Sequence, residues 1–223
     1  MAFRALPPTA RSADYGPVES IYPSVFRLQH SVGSNGYAVL DGERVAIVDP
    51  GLAAGARGVL RELRTAGLLS RLTDVLVTHA DVDHVGAVPQ IQAATGAKVW
   101  LGSAEAEILA GTRLPATRFR RLLARRKRRP LPGNVELLEG GEEPFPGVTA
   151  VATPGHTPGH MAFTFREVVF AGDAVLGKPE GLRLMPRILT SNPGQAEASL
   201  ELIAGLGARW LCPGHGPIRE LHL

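Results

Sequence analysis

Residues 78–86 of the chain read THADVDHVG and place two histidines and two aspartates within six positions. An apolar run at 74–77 directly precedes them and predicts a buried strand that ends where the polar residues begin. Histidine nitrogens and carboxylate oxygens are the ligands that zinc and related divalent cations prefer in proteins. The stretch therefore predicts a metal site at a strand end, built from His79, Asp81, Asp83 and His84.

Three later segments repeat this arrangement of a strand end followed by ligand-type side chains. They contain His156 in 153–160, Asp173 in 170–173 and His215 in 211–216. Glycines beside these residues allow the tight turns that bring a side chain inward. A single histidine after a strand is more often a packing residue, but four such loops favour a metal site. His160 is expected to pack or to support a ligand rather than to bind metal.

The remaining pattern predicts two blocks of strands, each followed by helices, which indicates stacked sheets covered by helices on the outside. The ordered part is expected to begin near Arg27, after an extended leader at 1–24. Ser103 is expected to cap a helix. The predicted elements are a hairpin at 37–49, helices at 54–66, 85–95, 103–110 and 194–206, and strands at 74–78, 98–101, 135–138, 148–153, 161–165, 168–171 and 209–211.

Composition indicates an ordinary globular protein, with 223 residues, 44% apolar and 20% charged. The single cysteine, Cys212, excludes an internal disulfide and fits a reducing compartment. The N-terminal residues contain no apolar signal segment, and no apolar run is long enough to span a bilayer. These features predict a cytoplasmic protein that does not enter a membrane. The oligomeric state is left open.

The positive charge is concentrated in one segment, 118–129, which contains eight Lys and Arg residues and no acid. Without it the chain has 16 basic and 21 acidic residues, a net charge of −5. We place it in a basic, proline-flanked insertion at 112–133 near the rim of the site. It is either a solvated surface, a basic helix that attracts an anionic small molecule, or a phosphate-binding surface for nucleic acid. Few aromatic residues are present to stack on bases, so nucleic acid is disfavoured.

Taken together, these motifs resemble the metallo-β-lactamase-fold hydrolases, in particular the branch similar to glyoxalase II. That family's pattern is HxHxDH, then a His, a bridging Asp and a final His. The corresponding residues here are His79, Asp81, Asp83, His84, His156, Asp173 and His215. The resemblance implies one α/β domain over 1–223 with a four-layer αββα sandwich, in which two mixed sheets have helices on their outer faces.

The resemblance also implies two divalent metal ions with a hydroxide between them. The first ion would be held by His79, Asp81, His156 and Asp173, and the second by Asp83, His84, Asp173 and His215. Asp83 is the candidate catalytic residue, because a carboxylate beside the hydroxide can also relay its proton. Asp49 is expected to hold a ligand histidine or a nearby loop in place; a plain turn aspartate is the equal alternative.

Asp81 departs from the family pattern, which usually has a second histidine at this position. An aspartate still offers an oxygen ligand and adds negative charge, so zinc is favoured while iron or manganese is also accommodated. The flavodiiron branch of the fold likewise has a carboxylate at this step. The alternative is that Asp81 points away from the site and leaves the first position weak or empty.

We therefore expect a metal-dependent hydrolase of an ester, thioester or lactone-type bond in a small, anionic substrate. Asp173 stands where one class of β-lactamases has cysteine, which disfavours that class. The chain ends eight residues after His215 and lacks glyoxalase II's C-terminal helical extension, so a glutathione thioester is in doubt. The alternatives are an iron-dependent oxygenase or oxidoreductase, and a phosphodiester-processing protein that binds nucleic acid.

Overall fold

The structure is a computed structural model that describes residues 19–115, 117, 120–121, 133–178 and 181–221. Residues 1–18 of the predicted leader and most of the basic segment lie outside these residues. What the sequence predicts for them, including their place in one domain over 1–223, stays a prediction.

Seven strands form the first sheet, in the same order in space as in the chain. Strands β1 to β4 pair antiparallel, and β4 to β7 pair parallel, so the sheet is mixed. The strands are β1 (Glu19–Tyr22), β2 (Val25–Leu28), β3 (Gly36–Asp41), β4 (Arg44–Val48), β5 (Leu72–Val77), β6 (Lys98–Gly102) and β7 (Val135–Leu138).

The second sheet has five strands in the order β14-β13-β10-β9-β8, and a separate two-stranded ribbon joins β11 to β12. Strands β10 and β13 run parallel, and the other neighbours in the sheet are antiparallel. The strands are β8 (Val148–Ala152), β9 (Met161–Phe165), β10 (Val168–Gly172), β11 (Leu176–Lys178), β12 (Gly181–Arg183), β13 (Trp210–Pro213) and β14 (Arg219–Glu220).

The helices connect and cover these strands. They are α1 (Ala56–Thr65), α2 (Val82–Val85), α3 (Val88–Thr95), α4 (Ser103–Ala110) and α5 (Pro193–Ala204), with short 3-10 turns at Ala53–Gly55, Leu69–Arg71 and Arg187–Leu189. Pro89 lies in the first turn of α3, where the missing N–H of proline costs no helical hydrogen bond. Asn192 caps α5 by accepting a hydrogen bond from the Gln195 N–H.

Alternating side chains build the layers, because successive residues of a strand face opposite sides of its sheet. In β4, Ile47 packs toward α1 and α3, whereas Val48 packs toward the second sheet. In the second sheet, Phe170 faces the first sheet and Val169 faces the layer that contains Ile203 of α5. Both sheets are thus buried on both faces, and the predicted αββα sandwich of two mixed sheets is confirmed.

Three local expectations differ from the structure. The chain is already paired in a sheet at Glu19, so the ordered part begins earlier than Arg27. Ser103 is the first residue of α4 rather than its cap, and its hydroxyl bonds the Leu138 carbonyl oxygen and the Glu139 carboxylate instead. The ribbon of β11 and β12 was not predicted, because its short strands lack a clear apolar alternation.

The predicted ligand loops all open at one edge of the sandwich. Strands β8, β10 and β13 point in the same direction, and His156, Asp173 and His215 follow their carboxyl ends. The loop after β5 meets them there, because the Met161 N–H donates to the Thr78 carbonyl oxygen at 2.9 Å. Topology therefore brings distant segments to one place.

Among the described residues, none of the helices combines the length and the apolar character that crossing a membrane requires.

Leu76 of β5 is fully buried between the two sheets, whereas Leu137 of β7 is 55% exposed. We expect Leu76→Ala to lower the free energy of unfolding by about 2–5 kcal/mol, because it leaves a cavity in a packed core. Leu137→Ala removes the same atoms from a largely exposed side chain, so it should lower the free energy of unfolding by less than about 0.5 kcal/mol. Chemical denaturation of both variants measures the difference, and equal losses would contradict the sandwich packing.

Candidate metal centre

All seven side chains predicted as metal ligands lie in one cluster at the open edge of the sandwich. Within the described residues, three overlapping groups can each offer converging ligand atoms to an ion. Four of the seven are buried and the other three are partly exposed, so the cluster has one open side. The groups are His79 with His84 and Asp173, His79 with Asp81 and His156, and Asp83 with His84 and His215.

Asp49 holds two parts of the cluster in place. Its Oδ2 accepts hydrogen bonds from the Nδ1 of His84 at 2.8 Å and from the hydroxyl of Thr78 at 2.6 Å. Its Oδ1 accepts the Thr78 N–H at 2.8 Å. Asp49 adopts a left-handed backbone (φ 46°), which is strained for a residue with a side chain and is typical of functional sites. The sequence predicts that Asp49 holds a ligand histidine or a nearby loop in place, and the contact to His84 is of that kind.

These bonds determine which ring nitrogens can bind a metal. His84 donates from Nδ1 to Asp49, so its Nε2 is the nitrogen that can bind a metal once the ring is neutral. His79 places its Nδ1 at 3.0 Å from the hydroxyl of Thr78, which leaves its Nε2 facing the cluster in the same way. Both Nε2 atoms and Oδ1 of Asp173 are buried without a hydrogen-bond partner among the described residues. Buried polar atoms without partners are costly, and a cation bound by His84 and Asp173 would satisfy two of these three.

Distances between the ligand atoms fit the coordination shell of one ion. His84 Nε2 lies 3.4 Å from Asp173 Oδ1, and His215 Nε2 lies 3.2 Å from Asp83 Oδ2 and 3.5 Å from Asp173 Oδ2. Ligands bound at about 2.1 Å in a tetrahedron are roughly 3.4 Å apart, so these separations match. The second set of predicted ligands (Asp83, His84, Asp173 and His215) therefore fits a divalent metal.

Gly214 leaves the room that this shell needs. A Cβ on Gly214 would collide with Oδ1 of Asp173 and would lie 2.6 Å from Cε1 of His84. Any side chain here would therefore displace two ligands. The glycine next to His215 is required by space rather than by an unusual backbone angle.

The first set of predicted ligands is engaged differently. Asp81 turns toward the cluster, with Oδ2 3.5 Å from His79 Nε2 and 3.4 Å from His156 Nε2, so it does not point away. However, the guanidinium group of Arg120 lies against this set. It donates to both carboxylate oxygens of Asp81 and to Nε2 of His156 at 2.6 Å. A cationic side chain therefore already lies at the position predicted for the first ion, called the first position below.

Arg120 is one of the few described residues of the basic segment, and it is buried, with 7% of its surface exposed. The neighbouring Arg121 is exposed, as expected for a solvated segment. The sequence predicts a surface role for all arginines of this segment, and for Arg120 that prediction is wrong. Its partner Asp81 is 39 positions away in the chain. No local pattern indicates such a contact.

The clustered charges shift several pKa values. Burial alone would raise the pKa of Asp173, but the charge of His84 and the contacts of His215 hold it well below its usual range. Burial likewise opposes the charged form of His84, yet the carboxylates of Asp173 and Asp49 raise its pKa well above the ordinary value. Contacts with Asp173 and Asp83 raise the pKa of His215 to about 9. A metal-free centre thus retains protons that a metal must displace.

Two further buried residues support the centre. Glu105 on α4 accepts the N–H groups of Ala80 and Gly159, one in each of two ligand loops, at 2.9 and 2.8 Å. The sequence did not predict this role, because the residues that Glu105 bonds are 25 and 54 positions away. His160 accepts the N–H of Asp173 at 3.1 Å through Nε2, a supporting contact of the kind expected for it.

The loop at 31–36 also reaches the centre and was not predicted. The hydroxyl of Ser34 donates to the Asp83 carbonyl oxygen at 2.6 Å, and the side chain of Asn35 donates to the carbonyl oxygens of Pro213 and Gly216. The loop therefore joins the His84 and His215 segments. Neither residue type signals this role in the sequence.

Comparison with known proteins agrees with this geometry. Residues 32–215 match the family model of the metallo-beta-lactamase superfamily. A hydroxyacylglutathione hydrolase from Fuscovulum blasticum is 36% identical over 177 residues, covering 77% of this chain and 57% of that protein. Protein YobT of Bacillus subtilis (strain 168) is 29% identical over 217 residues, covering 88% of this chain and 86% of YobT. The chain thus spans little more than half of the hydrolase.

Among solved structures, TTHA1623 in a di-iron-bound form is 31% identical, with a TM-score of 0.67. The similarity covers 84% of this chain and 89% of TTHA1623. The metallo-beta-lactamase SMB-1 has a TM-score of 0.69 at 24% identity, which bears on the fold alone.

We expect Asp49→Asn to weaken metal binding by about 10–100-fold, the usual effect of removing a partner that orients a ligand histidine. An amide in place of the carboxylate loses at least one acceptor, whichever way it is oriented. Competition with a chromophoric chelator measures the affinity. Asp74→Asn is the matched control, because buried Asp74 bonds Trp100 instead of a ligand. Equal affinities for wild type and Asp49→Asn would contradict the supporting role.

The metal-free protein should lose stability as the pH rises. His215 has a folded pKa of about 9, above its ordinary 6.5, so its contribution is fully present below pH 6.5 and is lost as the pH rises through 9. His84 acts in the same direction. The Tm of chelator-treated protein should therefore fall between pH 6.5 and 9.5, and His215→Gln should reduce that slope. Parallel curves for the two proteins would contradict the assigned interactions.

Proposed function

Because the chain belongs to the metallo-beta-lactamase superfamily, we propose that it is a metal-dependent hydrolase that cleaves a thioester bond of a small molecule. The observation that carries the proposal is the set of converging ligand atoms at the sheet edge, where His84 Nε2 and Asp173 Oδ1 are buried without a partner in the described part of the chain. The hydroxyacylglutathione hydrolases, which are 32–36% identical, indicate a thioester rather than an ester or lactone.

We assign Asp83, His84, Asp173 and His215 as the ligands of the ion that this activity requires. When bound, a divalent cation supplies Lewis acidity toward the carbonyl group of the substrate. Asp49 fixes the ring of His84, and His160 fixes the backbone at Asp173, so the ligands are oriented before the ion binds. This preorganisation lowers the cost of binding.

Asp83 is the proposed catalytic residue. Burial would raise its pKa, but contacts with His215 and the charge of His84 lower it, so the carboxylate is ionised at neutral pH. It is partly exposed at the open side of the cluster, where its other carboxylate oxygen, Oδ1, can accept a proton and release it to the leaving group.

The metal and the substrate are expected from chemistry. Zinc fits the nitrogen and oxygen donors, and iron or manganese also fits because of the carboxylates. The substrate is proposed to be anionic because of the basic segment, most of which lies outside the described residues. Nucleic acid binding stays the disfavoured alternative, and cytoplasmic localisation stays the expectation from the sequence.

The test is a substrate panel with metal-loaded protein: a glutathione thioester, an acyl-CoA thioester, an aryl ester, a lactone and a phosphodiester. We expect thioester cleavage, and a kcat that falls by roughly 10²–10⁴-fold in Asp83→Asn because a proton-transfer group is lost. Asp41→Asn, an exposed aspartate at the end of β3, is the matched control. Cleavage of the phosphodiester alone, or oxygen consumption without hydrolysis, would replace the proposal by one of the two alternatives.

A further inference from the structure

Arg120 has a fully used set of hydrogen-bond donors. A guanidinium group carries five N–H groups and cannot accept a hydrogen bond. Here Nε and Nη2 donate to the two oxygens of Asp81, Nη2 also donates to His156 Nε2, and Nη1 donates to the carbonyl oxygens of His156 and Leu189. Five donors thus have five acceptors. Because this side chain is buried and all its N–H groups have acceptors, Arg120 is an integral part of the centre.

The contact with His156 excludes a metal from the same nitrogen. Arginine stays protonated in proteins, so Nε2 of His156 must accept the bond from Nη2. An imidazole nitrogen has one in-plane lone pair, which serves either the N–H donor or a metal ion. His156 can therefore join a coordination shell only if Arg120 leaves.

Asp81 explains why the arginine fits at this position. Its carboxylate accepts hydrogen bonds from two guanidinium nitrogens, at 2.7 Å from Nε to Oδ1 and 2.7 Å from Nη2 to Oδ2. This two-point geometry is the one in which arginine and a carboxylate pair most strongly. A neutral histidine at 81 would offer at most one acceptor and no charge. The departure from the family motif and the buried arginine are therefore parts of one arrangement.

The charges also balance without a second ion. Asp81 is compensated by Arg120 on one side of the cluster, while Asp83 and Asp173 remain with His84 and His215 on the other. Removing a metal from the first position would otherwise leave a partly buried carboxylate without a positive partner, which is unfavourable. Arg120 supplies that charge permanently.

We propose that Arg120 replaces the metal ion at the first position, so that the chain binds one divalent ion, at Asp83, His84, Asp173 and His215. The inference rests on the proposed metal-dependent activity and replaces the two-ion expectation. Arg120 acts as a positioning residue: its Nη1 also ties the His156 loop to Leu189, which precedes α5.

The test counts bound ions. Metal-free protein is loaded with excess zinc chloride, desalted and subjected to elemental analysis, and the number of sites is checked by calorimetric titration with zinc. Wild type should retain about one equivalent. Arg120→Ala frees the lone pair of His156 and the carboxylate of Asp81, and it should retain about two. Arg113→Ala, an exposed arginine paired with Glu107, should behave as wild type.

His156→Ala distinguishes a released site from a general change in structure. In wild type it should leave the count at about one, because His156 is not a ligand. In the Arg120→Ala background it should return the count from about two to about one. If Arg120→Ala does not fold, the single variant His156→Ala still tests the proposal, because a loss of bound metal in that variant would overturn it.

Two ions in wild type, or one ion in a folded Arg120→Ala protein, would also overturn it. These outcomes are separate from the proposed hydrolysis, which fails if metal-loaded wild type does not cleave a thioester, whatever its ion count.

Discussion

Three carboxylates crowded among buried histidines impose the electrostatic constraint on which the centre depends. Asp81, Asp83 and Asp173 meet where the two sheets open, and bringing such charges out of water is unfavourable unless each has a partner. Arg120 satisfies the constraint for Asp81, and the proposed divalent ion would satisfy it for the other two. The rest of the edge, including the strained backbone of Asp49 and the small Gly214, holds this arrangement in place.

The layers of the fold could be predicted because their signals are local. The continuous apolar runs in β4 and β5 indicate strands buried on both faces, and the structure places them in the centre of the first sheet. Each ligand residue comes soon after the end of a strand in the sequence. Their convergence at one edge of the sandwich could therefore be predicted from the topology. Ser103 misled the prediction because a serine before a helix can bond a neighbouring strand instead of the helix N-terminus.

The contacts that tune the centre could not be predicted, because they join residues far apart in the chain. Arg120 lies in a run of arginines, and composition alone cannot show which of them turns inward. Glu105 clamps two ligand loops from a helix 25 and 54 positions away from the residues it bonds. Such contacts leave no periodicity or spacing in the sequence.

Anomalous X-ray diffraction from crystals of the zinc-loaded protein tests the central claim most directly. The account predicts one anomalous peak, within about 2.0–2.2 Å of Nε2 of His84 and of His215. Arg120 should remain bonded to Asp81 and His156 in the same map. A second peak between His79 and His156, with Arg120 displaced, would contradict the account.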